Sequence, residues 1–153
     1  MVKDMLMVFL LSMTPVLELR GAIPLGFALG LDPAVTAVLA IIGNMLPTPF
    51  IILFSRRIFL WLRINWPWLG RVIDKIEHRA ERKIPTVQKY AIFGLCLFVA
   101  IPFPGTGAWT GALISAMLDI RLKRAIPCIL LGVLIAAAIV TLISYGVVSG
   151  FGI

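Results

Sequence analysis

Two side chains in this sequence set opposite charges in an apolar context. Glu18 and Arg20 lie within Pro15-Val16-Leu17-Glu18-Leu19-Arg20-Gly21-Ala22-Ile23-Pro24, in the middle of a long, otherwise apolar stretch. An ionised group at bilayer depth costs roughly 2.5 to 3.5 kcal/mol on insertion scales, so a carboxylate and a guanidinium placed there point to a substrate or ion site. Arg20 could hold an anionic headgroup while Glu18 exchanges a proton, its protonation responding to an anion that competes for Arg20. The alternative is a purely structural pair, within the chain or across a dimer. Two residues apart they share no helical face, although an unwound segment would let them meet.

A second motif, Pro102-Phe103-Pro104-Gly105-Thr106-Gly107-Ala108-Trp109-Thr110-Gly111, supplies hydroxyl donors at Thr106 and Thr110 and an apolar or stacking wall at Trp109. Helices leaving the two motifs should start near Gly21 and Gly107, where free amides and the positive dipole end make anion sites. With Pro24, Pro102 and Gly105 shaping the backbone, and Asn44 as a partner for Glu18, these residues form the candidate substrate- or ion-binding set. Asn44 could equally bond a neighbouring backbone carbonyl in a kinked helix.

No Ser/His, Cys/His, paired-acid or metal-ligand constellation lies in the apolar segments, so the chain is expected to be no enzyme and to carry no metal or cofactor. Cys96 and Cys128 sit far apart in apolar segments and read as buried small hydrophobes rather than a disulfide or metal pair. His78 falls in the charged central block, where a solvated residue is expected.

The elements that position these residues follow from composition. The chain has 153 residues, 61% of them hydrophobic and 14% charged, with apolar runs that a soluble domain of this size could not cover. Its net charge of +7 is concentrated in one block, which fits the cytoplasmic face of a membrane protein and not a nucleic-acid surface. Lys3 and the apolar run Met5 to Met13 have the outline of a secretory signal. Asp4 offsets the positive end, however, and Thr14-Pro15-Val16 gives no cleavage box, so the segment is expected to be retained.

Residues 5 to 17 and 22 to 31 are each too short to span, because a core about 30 Å thick needs about twenty helical residues. Joined at Pro15 to Pro24, they read either as one broken crossing or as a re-entrant hairpin. Asp32 then caps a helix with Pro33 in its first turn, and Ala34 to Phe54 makes a full span with irregularities at Gly43-Asn44 and Pro47-Thr48-Pro49. From Ser55 to Tyr90 come nine of the fourteen basic residues, flanked by Trp61, Trp66 and Trp68 at headgroup depth. Leu69, Val72, Ile73, Ile76, Ala80 and Ile84 recur there at helical spacing, an amphipathic segment for an anionic leaflet or a partner subunit.

The second half repeats the first. A shift of 87 residues places Pro15 on Pro102, Gly21 on Ala108 and Leu31-Asp32 on Leu118-Asp119. Two interrupted segments in matching positions, each followed by a full helix, suggest a duplicated transporter. If Ala91 to Leu118 crossed the membrane, Arg121, Lys123 and Arg124 would lie opposite the basic block, against the positive-inside rule; as a re-entrant hairpin it returns them to the cytoplasmic side.

The expected fold is therefore an all-α integral membrane domain of two inverted repeats, residues 1–54 and 91–153, each a re-entrant helical hairpin followed by a transmembrane helix. A basic amphipathic cytoplasmic connection, residues 55–90, joins them, and the two hairpin tips should meet near mid-membrane. Four plain crossings are the alternative.

These motifs resemble the small multidrug export family of prokaryotic membrane proteins, over nearly the whole chain. More distantly, the layout is similar to DedA-type proteins, which carry two re-entrant hairpins with intramembrane acids and arginines. Some of those proteins are implicated in proton-coupled movement of polyprenyl-phosphate carriers. The DedA pattern has arginines in its second hairpin motif, whereas here residues 102 to 111 carry no basic residue and Arg20 would serve alone.

The resemblance implies a transporter in the prokaryotic plasma membrane. Three functions follow as expectations: a proton-coupled transporter or lipid flippase for a phosphate- or carboxylate-bearing amphiphile, an exporter of cationic amphiphilic drugs with Glu18 as counter-ion and Arg20 as gate, or a non-transporting scaffold. The expected partners are the bilayer, anionic lipids at the basic connection and a small amphiphilic substrate. A chain this small encloses little volume, which is compatible with a homodimer.

Overall fold

The computed structural model describes residues 1–68, 70–72, 75, 84–103 and 105–151. Helices α1 (Val2–Ser12), α2 (Glu18–Ala28), α3 (Pro33–Met45), α4 (Thr48–Asn65), α5 (Ile84–Ala100), α6 (Ala108–Met117) and α7 (Leu122–Phe151) follow one another. There is no strand among the described residues. Pro33–Asn65 and Leu122–Gly150 are long and apolar enough to cross a membrane. By contrast α1, α2 and α6 have 11, 11 and 10 residues, so each covers only about half of a hydrocarbon core at 1.5 Å per residue.

The helix starts and stops follow local chemistry. The Asp32 carboxylate accepts from the amides of Ala34 and Val35 at 2.9 and 3.0 Å, with Pro33 behind it, as the sequence predicts. At the far end of α2, Gly30 takes φ +71 and Leu31 N–H returns to the Gly26 carbonyl at 3.0 Å. The end of α6 has the same form: Asp119 takes φ +49 and Ile120 N–H returns to the Ser115 carbonyl at 2.9 Å. Both are left-handed terminations that satisfy carbonyls the helix leaves open, and they bury Leu31 and Ile120 in the core.

Two expectations are corrected. The interruption in the first half is not Pro15 to Pro24 but only residues 13–17: α2 starts at Glu18 and runs through Gly21 and Pro24. Pro24 removes one helical hydrogen bond, to the Arg20 carbonyl, without ending the helix. The first span also does not stop at Phe54. It breaks between Met45 and Thr48, where Pro47 and Pro49 withhold two amides, and continues to Asn65, so Arg56, Arg57 and Arg63 ride on α4.

Trp61, Trp66 and Trp68 at the end of that helix are exposed. Leu69, Ile73, Ile76 and Ala80 of the expected amphipathic segment, together with His78, lie outside the described residues, as does Pro104.

Helix α7 runs along the centre of the bundle, packed on α2, α3, α4, α5 and α6. Its buried Ala125, Ile129, Val133, Ala136 and Ala137 join Val8, Leu19, Ile23, Ala40, Ile52, Leu95 and Val99 in one core. Small residues set the closest approaches. A methyl group on Gly43 of α3 would overlap the Ser12 hydroxyl and stand 2.6 Å from the Phe9 carbonyl of α1. One on Gly132 of α7 would stand 2.7 Å from Val99 Cβ and 2.8 Å from the Cys96 carbonyl of α5. Cys96 and Cys128 are free thiols, and Cys128 is buried with its Sγ 3.0 Å from the Ile92 carbonyl.

Candidate functional site

The turn between α1 and α2 meets the turn between α5 and α6, and the two charged residues at the start of α2 make the join. Glu18, only 6% exposed, takes the left-handed conformation at φ +48, a cost for any residue with a side chain. From there its Oε1 accepts from the backbone N–H of Trp109 at 3.3 Å, in the first turn of α6. The carboxylate lies so close over Gly107 that a Cβ there would overlap it. Gly107 has φ −135, an ordinary extended value, so space and not backbone freedom requires glycine at this position.

Arg20 reaches the other side of the same break. Its Nη2 donates to the Ile101 carbonyl at 2.8 Å, to that of Thr106, and at 3.4 Å to that of Val99, while Nη1 donates to the Phe103 carbonyl. Its Nε is buried without a partner. These carbonyls lie at the C-terminal end of α5 and along the turn that follows, where a cation is favoured; the α6 N-terminus favours an anion, each by about 0.3 to 1 kcal/mol and up to about 2 when partly buried. Glu18 and Arg20 thus do not pair with one another. Each caps one side of the break between α5 and α6.

Among the residues expected from sequence, the structure brings together Glu18, Arg20, Thr106, Gly107 and Trp109. Trp109 is held by its indole N–H, which donates to the Met13 carbonyl at 3.1 Å. Thr106 turns inward: its hydroxyl lies 2.7 Å from the Ile101 carbonyl and 2.9 Å from that of Phe103, so it braces the tip. Thr110 is half-buried in the first turn of α6, and Gly21 is half-buried against Leu17. Pro102 and Gly105 are exposed on the turn, Gly105 at φ +86, and Pro24 is exposed on α2.

Asn44 is fully buried at the end of α3, and neither side-chain amide atom has a partner, so the expected bond to Glu18 is not made. Its carbonyl accepts from the Thr48 hydroxyl at 3.1 Å across the α3–α4 break. The sequence did not single out Met13, Val99 or Phe103, because they act through backbone carbonyls that any residue would supply. No cluster of His, Cys, Asp and Glu capable of holding a metal ion occurs among the described residues.

Compared with known proteins, residues 18–139 match the model of a family described as putative small multi-drug export protein. No curated protein and no solved structure matches the chain.

Proposed function

The chain belongs to the small multidrug export family, a family of membrane export proteins, and from that premise we propose that it moves an anionic amphiphile, bearing a phosphate or carboxylate, past the junction of the two turns. The observation that carries this reading is the seat of Glu18. The start of α6 is an anion site, and the chain's own carboxylate already sits in it. A substrate headgroup exchanges with Glu18 for the amides of Gly107, Ala108 and Trp109. The displaced carboxylate then takes up a proton, which couples proton movement to transport. Because the two Nη groups of Arg20 are spent on carbonyls, the exchange takes place at the helix start and Arg20 holds that start in position.

The architecture proposed for this cycle is two inverted repeats with re-entrant hairpins. Three features support it. Gly43 against Phe9 and Ser12 has the same form as Gly132 against Cys96 and Val99. The terminations at Gly30-Leu31 and Asp119-Ile120 share one hydrogen-bond pattern. Finally, the Arg56 guanidinium lies 3.7 Å from the Asp119 carboxylate, so residue 119 adjoins the beginning of the basic stretch, the cytoplasmic side by the positive-inside rule.

The buried Glu18 carboxylate also favours a second reading, in which it is the counter-ion of an exported cationic amphiphile. One experiment separates the two: binding of a long-chain alkyl phosphate and of a quaternary alkylammonium to the wild type and to Glu18→Gln. On the anion reading, Glu18→Gln keeps or tightens alkyl phosphate binding and uncouples transport from protons. Loss of alkylammonium binding with no alkyl phosphate binding in either form would establish the cation reading instead.

A further inference from the structure

We propose that a second anion site, separate from the hairpin tips, binds a phosphate group at the opposite end of α6. A cavity of about 440 Å³ opens there, lined by Arg56, Ile92, Asp119, Ile120, Arg121 and Arg124, within the roughly 300 to 1,000 Å³ of small-molecule sites. Three arginines line it against one aspartate, and that carboxylate is turned to solvent with the Asp119 side chain 79% exposed. Arg56 is fixed on one side: its Nη2 donates to the Ile120 carbonyl and stands 3.7 Å from Asp119 Oδ1. Its Nε is buried and has no partner.

The start of α7 gives an independent reason to expect an anion. Arg121 occupies the position before the first helical residue, since the amides of Arg124 and Ala125 bond to its carbonyl. Lys123 and Arg124 follow in the first turn. Cations at a helix N-terminus face the positive end of the helix dipole and are unfavourable there. In the corresponding place before α3 stands Asp32, whose carboxylate caps Ala34 and Val35. Helix α7 has no such side chain bonded to its first-turn amides among the described residues, and has an arginine where α3 has its acid. A bound anion would supply the missing cap and neutralise the cluster.

The chemistry selects phosphate. Guanidinium groups present paired N–H donors that match phosphate oxygens, and Arg56 on α4 with Arg121 and Arg124 at the start of α7 can hold a tetrahedral group from two sides. Ile92 and Ile120 add an apolar wall beside it. Phosphate chemistry could come from a lipid headgroup or from free phosphate. This site does not depend on how the hairpin tips work, and none of its residues lies there.

The test is calorimetric titration of the full chain in a neutral detergent with inorganic phosphate, dihexanoyl phosphatidic acid and, as control, dihexanoyl phosphatidylcholine. Wild-type protein should bind at least one of the first two more tightly than the control. Arg121→Gln/Arg124→Gln should weaken that binding at least tenfold, and Lys123→Gln on the same turn less than twofold. Should the double variant not fold, Arg124→Lys, which keeps the charge and loses the paired donors, should still weaken binding measurably. Binding of phosphatidic acid alone identifies a lipid site, and binding of inorganic phosphate identifies a free-anion site. No binding of either, or equal losses with Lys123→Gln, overturns the proposal.

Discussion

The carboxylate of Glu18 lies directly over Gly107, close enough that no other residue could stand at 107 without moving it. The contact spans two turns separated by almost ninety residues of chain, and it brings an acid to the start of α6. Gly107→Ala should therefore expel the carboxylate. The overlap and the lost charge-assisted bond together should lower stability by roughly 1 to 3 kcal/mol. In a Glu18→Ala background the same glycine change should cost far less, because the clashing group is gone. Thermal unfolding of the four proteins in one detergent measures this coupling; additive losses would show that the two residues do not meet.

Arg20 tests the other half of the junction. Its fork converges on carbonyls of Val99, Ile101, Phe103 and Thr106, a task that a lysine ammonium, with one compact head, cannot duplicate. Arg20→Lys should recover only part of the stability lost in Arg20→Ala. A loss of roughly 1 to 3 kcal/mol is expected for the alanine variant. Limited proteolysis at the 101–107 turn is the direct readout, with cutting fastest in Arg20→Ala. Equal protection in all three proteins would mean that the guanidinium does not hold the turn.

Much of this architecture can be read from the chain. Charge in an apolar context located Glu18 and Arg20, Asp32-Pro33 announced the start of α3, and the two proline- and glycine-rich motifs marked the turns that meet. The register after the turns was not legible. The first turn, residues 13–17, is two residues shorter than the second, residues 101–107, and the matching contacts agree: Phe9 and Ser12 lie 87 residues before Cys96 and Val99, whereas Gly43 lies 89 before Gly132 and Leu31 89 before Ile120. Gly21 therefore does not correspond to Ala108, nor Asp32 to Asp119. A sequence shift cannot see a two-residue insertion that leaves the hydrophobic pattern intact. The hold of Arg20 on the second turn is not legible, because its acceptors are backbone carbonyls, which carry no sequence signature. For Asn44 polarity alone leaves two partners open, Glu18 or a neighbouring backbone carbonyl, and its side chain bonds to neither, Glu18 being claimed by α6.

Glycines provide an internal control. Gly43 and Gly132 sit where a methyl group would strike the neighbouring helix backbone, whereas around Gly94 of α5 and Gly146 of α7 a Cβ would meet open space. Alanine at 43 or 132 should cost roughly 1 to 3 kcal/mol by overpacking. At 94 or 146 it should be neutral or stabilise by up to about 1 kcal/mol through helix propensity. Melting temperatures of the four single variants decide the matter, and a similar response at all four positions would contradict the packing described for α1–α3 and α5–α7.

Asn44 makes a prediction of opposite sign. Its amide oxygen and nitrogen are buried with no bond, and an unsatisfied buried polar group costs roughly 1 to 3 kcal/mol. Asn44→Leu, which keeps the branched shape and removes both polar atoms, should raise the melting temperature. If the amide serves the transported substrate, the same variant should transport more slowly than wild type, with stability and activity moving apart. A fall in melting temperature would show instead that Asn44 has a structural partner.

Sidedness is the most far-reaching consequence of the contact between Arg56 and Asp119. Residue 119 follows α6, and Gly30 follows α2; both turns are exposed and lie at the ends of half-length helices. If both hairpins re-enter, the turn at 30 and the turn at 119 open to opposite sides of the membrane, and 119 shares its side with the basic stretch that begins at Arg56. Single cysteines at 30, 78 and 119, in a chain with Cys96 and Cys128 replaced by alanine, report this through labelling by an impermeant maleimide in right-side-out and inverted vesicles. Cysteines at 78 and 119 should react from the same side and the one at 30 from the other. Reaction of 78 and 119 from opposite sides would make α5 and α6 a true crossing. It would also set Arg121, Lys123 and Arg124 on the face away from the other basic residues, the arrangement that the positive-inside rule disfavours.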